Sequence, residues 1–427
     1  MTETRIAPRT WATRCVWGAV VVLLAGLIGR LGVGPVRQPV VLEVPGRLAA
    51  IESGHHVRVN LTPQPVRELT VEVQAGFQVR PVGSDRVLFR SNGKTAIHIR
   101  ASLSGLQFGT REIAVGRIVI HPEKTPSIWV NGHMYRGDLY VHRRSSGRVI
   151  AVNVVDLEHY VASVVDSEMP LTFPAAARRA QAIIARTYVL YQQQLAGVRR
   201  EFDVYATTRS QKYQGYQYRD GRGRKLAGES DSSRQVARDT AGTVALYRGD
   251  LFAAYYSAVC GGRTTSGQSV FSDAVDALAS VPCPWCRAAQ RYRWKRRAQR
   301  DQAAGLLTEY FRTRGKSFQQ LKTITSLDQI PDQSRGRMRF QVGDGNHTYE
   351  IDGRALRSLF PSGLLPSPYF TARLDDGHVV FDGRGHGHGV GLCQWGARGQ
   401  ALAGRSAPQI IESYYPGVSL VTLDLQH

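Results

Sequence analysis

The stretch VVDSEMPLTFPAAARRAQAIIARTYVL, residues 164–190, decides how the chain is read. From Pro174 on it is rich in good helix formers and carries Ala177, Ala180, Ile184, Tyr188 and Tyr191 at helical spacing. Pro174 suits a first helical turn, Thr172 is the expected cap and Gly197 the expected stop. The run just ahead, Tyr160 to Val165, reads as strand-like. Glu168 therefore falls at a junction before a helix, where a side chain can project into a cleft. Followed by Met169 and Pro170, it is the candidate acid/base; capping the helix entry is the bland alternative. Asp156 and Asp166 are nearby acids with nothing in their spacing that demands a chemical role.

Upstream, residues 126 to 155 alternate as strands, broken by Asn131-Gly132 and Ser145-Ser146-Gly147. Residues 35–125 also read as β-rich, an accessory region with turns at Pro45-Gly46, Gly83-Ser84-Asp85 and Asn92-Gly93. The last lies between VLFR and TAIHIR, the strongest short hairpin signal here. At the N-terminus, Arg5, Arg9 and Arg14 precede an apolar run, Val16 to Ile28, closed by Arg30. Residues 1–34 thus read as a signal peptide or membrane anchor that places the rest outside the membrane. Downstream, residues 213 to 235 read as an exposed polar loop and 245–259 as a hairpin. Arg287 to Gly315 reads as basic and partly helical, and 383–404 as a Gly-rich loop entering a helix. The expected fold class is α+β, with residues 126–427 forming the main domain.

The chain has 427 residues, of which 42% are hydrophobic, so a disordered or fibrous protein is excluded. A net charge of +21 favours polyanionic partners. Behind an export signal, anionic wall polymers or lipid surfaces fit better than nucleic acid, even for the dense run Arg291 to Arg300. Tyr213, Tyr216 and Tyr218, set among Arg219, Arg222, Arg224 and Lys225, could stack on sugar rings or belong to a solvated loop. Cys15 lies just ahead of the N-terminal apolar run. Cys260, Cys283, Cys286 and Cys393 form an even set, open to a structural four-sulfur zinc site, two disulfides or buried thiols. His386 and His388 alternate with glycines and would share one face of an extended chain. Substrate hydrogen bonding, charge stabilisation and metal ligation are all open to them.

Three stretches in order resemble the SpoIID/LytB family: residues 164–190 with Ser-Glu-Met-Pro, residues 253–271 (AAYYSAVCGGRTTSGQSVF) and residues 383–401 (GRGHGHGVGLCQWGARGQA). The resemblance spans about residues 125 to 425. It implies a SpoIID-like domain and a lytic transglycosylase that cuts peptidoglycan glycan strands, with Glu168 as the catalytic acid and no required cofactor. The expected substrate-contacting set is Gln181, Arg186, Gln211, Tyr213, His388 and Gln394. The enhancer branch of the family implies an alternative, a wall-binding protein that recruits or stimulates a peptidoglycan amidase. Two departures stand out. Tyr205, Arg209 and Ser210 occupy the positions where members with a metal site carry Cys, His and Cys, so that site is not expected here. His386 replaces the Trp of Gly-Trp-Gly-His.

Overall fold

In the computed structural model, which describes residues 56–197, 200–314, 324–330, 338–343 and 345–424, strands fill the chain up to Asp156 and helices begin there. One sheet holds, side by side, Val204–Tyr205, His56–Asn60, Val149–Asp156, Asp138–Arg143, Arg117–Pro122, Phe77–Pro81 and Phe89–Ser91. The other holds Lys225–Ala227, Gln217–Arg219, His133–Tyr135, Ile128–Val130, Glu68–Val73, Thr95–Ala101, Leu106–Phe108 and Arg111–Ile113. Alternation sorts the side chains: Leu69, Val71 and Val73 are buried while Thr70 between them is exposed. One apolar cluster draws Val57, Val59 and Val141 from the first sheet and Leu69, Val71 and Ile99 from the second, so the sheets pack face to face. The expected boundary at residue 125 falls between two strands, and strands from both sides of it share both sheets.

The two Asn-Gly pairs behave differently. Asn131 and Gly132 both take positive φ (49° and 81°) and close a tight hairpin in which Val130 pairs with His133. Asn92-Gly93 closes no hairpin. Phe89–Ser91 pairs with Phe77–Pro81 in the first sheet, whereas Thr95–Ala101 pairs with Glu68–Val73 in the second. The turn carries the chain between sheets, without the positive φ that a two-residue hairpin of this type requires.

The helices are α1 (Leu157–Glu168), α2 (Ala175–Ala196), α3 (Asp231–Asp239), α4 (Gly267–Phe271), α5 (Arg300–Arg312), α6 (Gly353–Leu359), α7 (Gln394–Leu402) and α8 (Ala407–Tyr414). The chain is thus α+β. The strand expected at Tyr160 to Val165 is the middle of α1. Asp156 caps that helix, accepting from the backbone N–H groups of Glu158 and His159 at 2.9 and 3.1 Å. Leu157, Tyr160, Val161, Val164 and Val165 then line its buried face at helical spacing, and that burial overrides valine's strand preference. α2 runs as expected to Gly197, but Pro174 is its cap residue and Thr172 makes no capping bond. Every residue from Ala180 to Leu190 is buried. Ala182, Ala185 and Val189 face the sheet cluster, while Ala177, Ala180 and Ile184 face a second cluster built with α8.

Of the hairpin expected at 245–259 only the turn forms, with Tyr247 and Asp250 exchanging both backbone hydrogen bonds across Arg248-Gly249. Thr243–Tyr247 pairs instead with Val418–Thr422, and Tyr256–Ser257 pairs parallel with Leu392–Cys393. Likewise, residues 213 to 235 are no simple loop: they hold the strand pair Gln217–Arg219 and Lys225–Ala227 and the start of α3. Between Cys286 and Gly385 lies a module with its own core, made of α5, α6 and two three-stranded sheets. The expected signal or anchor, residues 1–34, lies outside the described residues. Among the described residues, no helix is long and apolar enough to cross a membrane.

Candidate active site

Glu168 ends α1, half-buried, and is in no ion pair among the described residues. Its Oε1 accepts from the backbone N–H of Lys212 at 2.9 Å. Burial lifts its carboxyl above the ordinary range, partly offset by the Lys212 N–H and by the nearby Gln394 and Tyr256 side chains. Lys212 also lines a cleft of about 430 Å³ with Tyr135, Thr207, Thr208, Tyr213 and Gln214. The two other acids do structural work. Asp156 is the α1 cap, and Asp166 pairs with the buried Arg178 and accepts from Ser230.

The Gln394 amide reaches this carboxyl from a distant part of the chain, and two more amides lie around it. The Gln394 amide, at the start of α7, donates to Gln181 Oε1 on α2 at 3.3 Å. Tyr160 OH donates to Gln211 Oε1 at 2.9 Å. Tyr256 lies against Glu168 with Gln211 beside it, while Gln181 Nε2, Ser167 Oγ and Ser257 Oγ are buried and have no hydrogen-bond partner. Buried polar groups are nearly always paired, so such a concentration beside one raised carboxyl marks a place where a polar ligand completes the bonding. Tyr256 and Lys212 were not singled out from sequence. Tyr256 lies inside the second motif and Lys212 between two expected residues; nothing in their residue types announces them.

His388 is pushed down to about 4 by burial, helped by Arg357 and opposed by a hydrogen bond with the Tyr256 backbone. Its Nδ1 accepts from the Val390 N–H at 3.1 Å, and its ring meets Phe271 edge-on at 5.0 Å. A neutral imidazole therefore ties the third motif to the second, against Tyr256. Burial and the Arg291 and Arg357 charges push His386 down to about 4 as well, and Arg291 lies 3.0 Å from its Nε2.

Two expected substrate contacts are tied into the protein interior, although Tyr213 also borders the cleft beside Lys212. Arg186 is fully buried, and its nitrogens donate to Glu158, the Thr243 carbonyl and the Ala237 carbonyl, so it clamps α1, α2 and α3 together. Tyr213 is also buried; its hydroxyl donates to Asn153 Oδ1 at 2.8 Å, and its ring packs on Tyr135 and Tyr160. Where a metal was not expected, Tyr205 carries Arg209 over its ring at 4.2 Å and donates its backbone N–H to Ser210 Oγ. Cys260, Cys283, Cys286 and Cys393 are all buried and free, with the four Sγ atoms within 4.8 Å of one another.

Comparison with known proteins agrees with this layout. The family described as stage II sporulation protein, SpoIID, matches residues 145–247, which include α1, α2 and Glu168. A family described only as a domain of unknown function matches residues 286–391, the inserted module and the start of the third motif. An uncharacterised protein of Brachyspira hyodysenteriae is 32% identical over 73% of this chain and 78% of its own length. Stage II sporulation protein D of Bacillus amyloliquefaciens is 26% identical over 64% of this chain and 76% of its own. The amidase enhancer of Bacillus subtilis is 24% identical over 61% of this chain but only 40% of its own length. With its three motifs in order and folded around one carboxyl, the chain belongs to the SpoIID/LytB family.

Proposed function

We propose that this protein is a peptidoglycan lytic transglycosylase acting outside the cytoplasmic membrane, with Glu168 as its single acid/base. The observation that carries the reading is a carboxyl outside any ion pair among the described residues, lifted by burial and set among Gln394, Tyr256 and the Lys212 N–H. Glycosidic cleavage needs a proton delivered to the leaving oxygen, and a carboxyl held protonated can supply it. Protonated Glu168 gives its hydrogen to the oxygen joining N-acetylmuramic acid to N-acetylglucosamine, and the C1–O bond breaks. The resulting carboxylate then takes the proton of the muramic C6 hydroxyl as that oxygen bonds to C1. The products are a free glucosaminyl hydroxyl and a 1,6-anhydro-muramic end, and Glu168 is again protonated. No water is consumed, so one carboxylate suffices where most glycosidases use two. The Lys212 N–H steadies the intermediate carboxylate, and the buried Gln181 and Gln211 hold Gln394 and Tyr160 in place around it.

The test is mass analysis of products from purified glycan strands. Anhydro-muramic ends that vanish with Glu168→Gln support the proposal. Reducing ends would mean hydrolysis. No cleavage by the native protein, together with stimulation of an added wall amidase, would favour the recruiting role that the enhancer relative's name suggests.

A further inference from the structure

We infer that Cys260, Cys283, Cys286 and Cys393 hold one zinc ion in a closed four-thiolate centre that fixes the third motif against Glu168. Four features of the site support this. First, its dimensions fit. A tetrahedral zinc with Zn–S bonds of about 2.3 Å sets its sulfurs roughly 3.8 Å apart. Cys260 and Cys286 lie 3.7 Å apart, and all four sulfurs fall within 4.8 Å. A disulfide would need about 2.05 Å.

Second, donors converge on the sulfurs. The backbone N–H groups of Cys260 and Gly396 both point at Cys393 Sγ at 3.3 Å, and Tyr414 OH lies 3.1 Å from Cys283 Sγ. Such donors stabilise thiolates, the form that binds metal. Third, the backbone makes room. A Cβ on Gly396 would sit 2.6 Å from Cys283 Sγ and 2.0 Å from Tyr414 OH. Fourth, Cys283-Pro284-Trp285-Cys286 folds as a tight 3₁₀ turn, which brings two sulfurs to one point. Four protein thiolates leave no open coordination position, so the centre is structural and takes no part in the chemistry.

Its work is positional. Cys260 belongs to the second motif and Cys393 to the third, and the next residue, Gln394, meets Gln181 beside Glu168. The ion thereby ties three segments whose sequence separations exceed 20 residues into one wall of the site. In an oxidising compartment it would also keep four adjacent thiols from pairing at random.

The experiment uses the full chain, purified without chelator. Elemental analysis should find about one zinc per chain. Cobalt exchanged for zinc should show the thiolate charge-transfer and intense visible bands of a tetrahedral sulfur site. Intact mass under denaturing, non-reducing conditions should show these four cysteines unpaired. Two disulfides by mass, or unpaired thiols that bind neither metal, would overturn the inference. Cys286→Ser should lose most of the zinc; because that variant can fail to fold, the native metal count and cobalt spectrum decide. Glu168→Gln should keep its full zinc content even if it has no effect on glycan cleavage, which separates this inference from the proposed function.

Discussion

Replacing Glu168 with Gln should weaken catalysis and strengthen the fold, and the second effect should depend on pH. Gln keeps the shape, and its Oε1 can still accept from the Lys212 N–H, so packing is preserved. It cannot donate the proton, and loss of a positioned general acid typically costs about 10²–10⁴ in rate. The stability effect follows from burial, which raises the carboxyl in the folded protein. Between the unfolded value of about 4.3 and the higher folded value, the native state binds more protons than the unfolded chain, so stability falls as pH rises. Above the folded value the full penalty applies and stays constant. Each unit of upward shift corresponds to about 1.4 kcal/mol, or roughly 2 °C in melting temperature for a chain of this size. Gln escapes that penalty. Scanning calorimetry should therefore find Glu168→Gln more stable than the native protein at pH 7.5, with the gap closing at pH 4. A variant that releases muropeptides normally, or whose stability difference is the same at both pH values, would refute the reasoning.

Arg186→Ala removes the buried partner of Glu158 and the side-chain donor to the Thr243 carbonyl, and should cost about 3–5 kcal/mol in urea unfolding. A loss below about 1 kcal/mol would mean the clamp is dispensable. Tyr160→Phe frees Gln211 to rotate, with a stability cost of about 1 kcal/mol; glycan cleavage should fall about tenfold through misplacement of the amide. Gly396→Ala crowds Cys283 and Tyr414 and should destabilise by about 1–3 kcal/mol, with a measurable drop in bound zinc.

The local patterns of this chain are easier to read than its long-range wiring. Ser-Glu-Met-Pro, the long helix α2 and the glycine-rich entry to α7 are local patterns, and each lies where its sequence implies. Glu168 stands out because an acid beside Met and Pro before a helix is locally odd. What local patterning could not supply was partnership across the chain. The valines around Ser163 look like strand because their helical face only becomes useful against sheets made elsewhere. Asn92-Gly93 looks like a hairpin because nothing nearby shows that its two flanks join different sheets. Arg186 looked like a ligand contact, yet its three clients lie 28 to 57 residues away in α1 and around α3. The four cysteines could be counted from sequence, but only the fold brings their sulfurs to one point.

Gln394 reaches Gln181 across 213 residues, and the strand Val418–Thr422 is the partner of Thr243–Tyr247. A ribosome makes those C-terminal pieces last. Until they are in place, Glu168 lacks the Gln394 side chain that lies beside it in the folded protein.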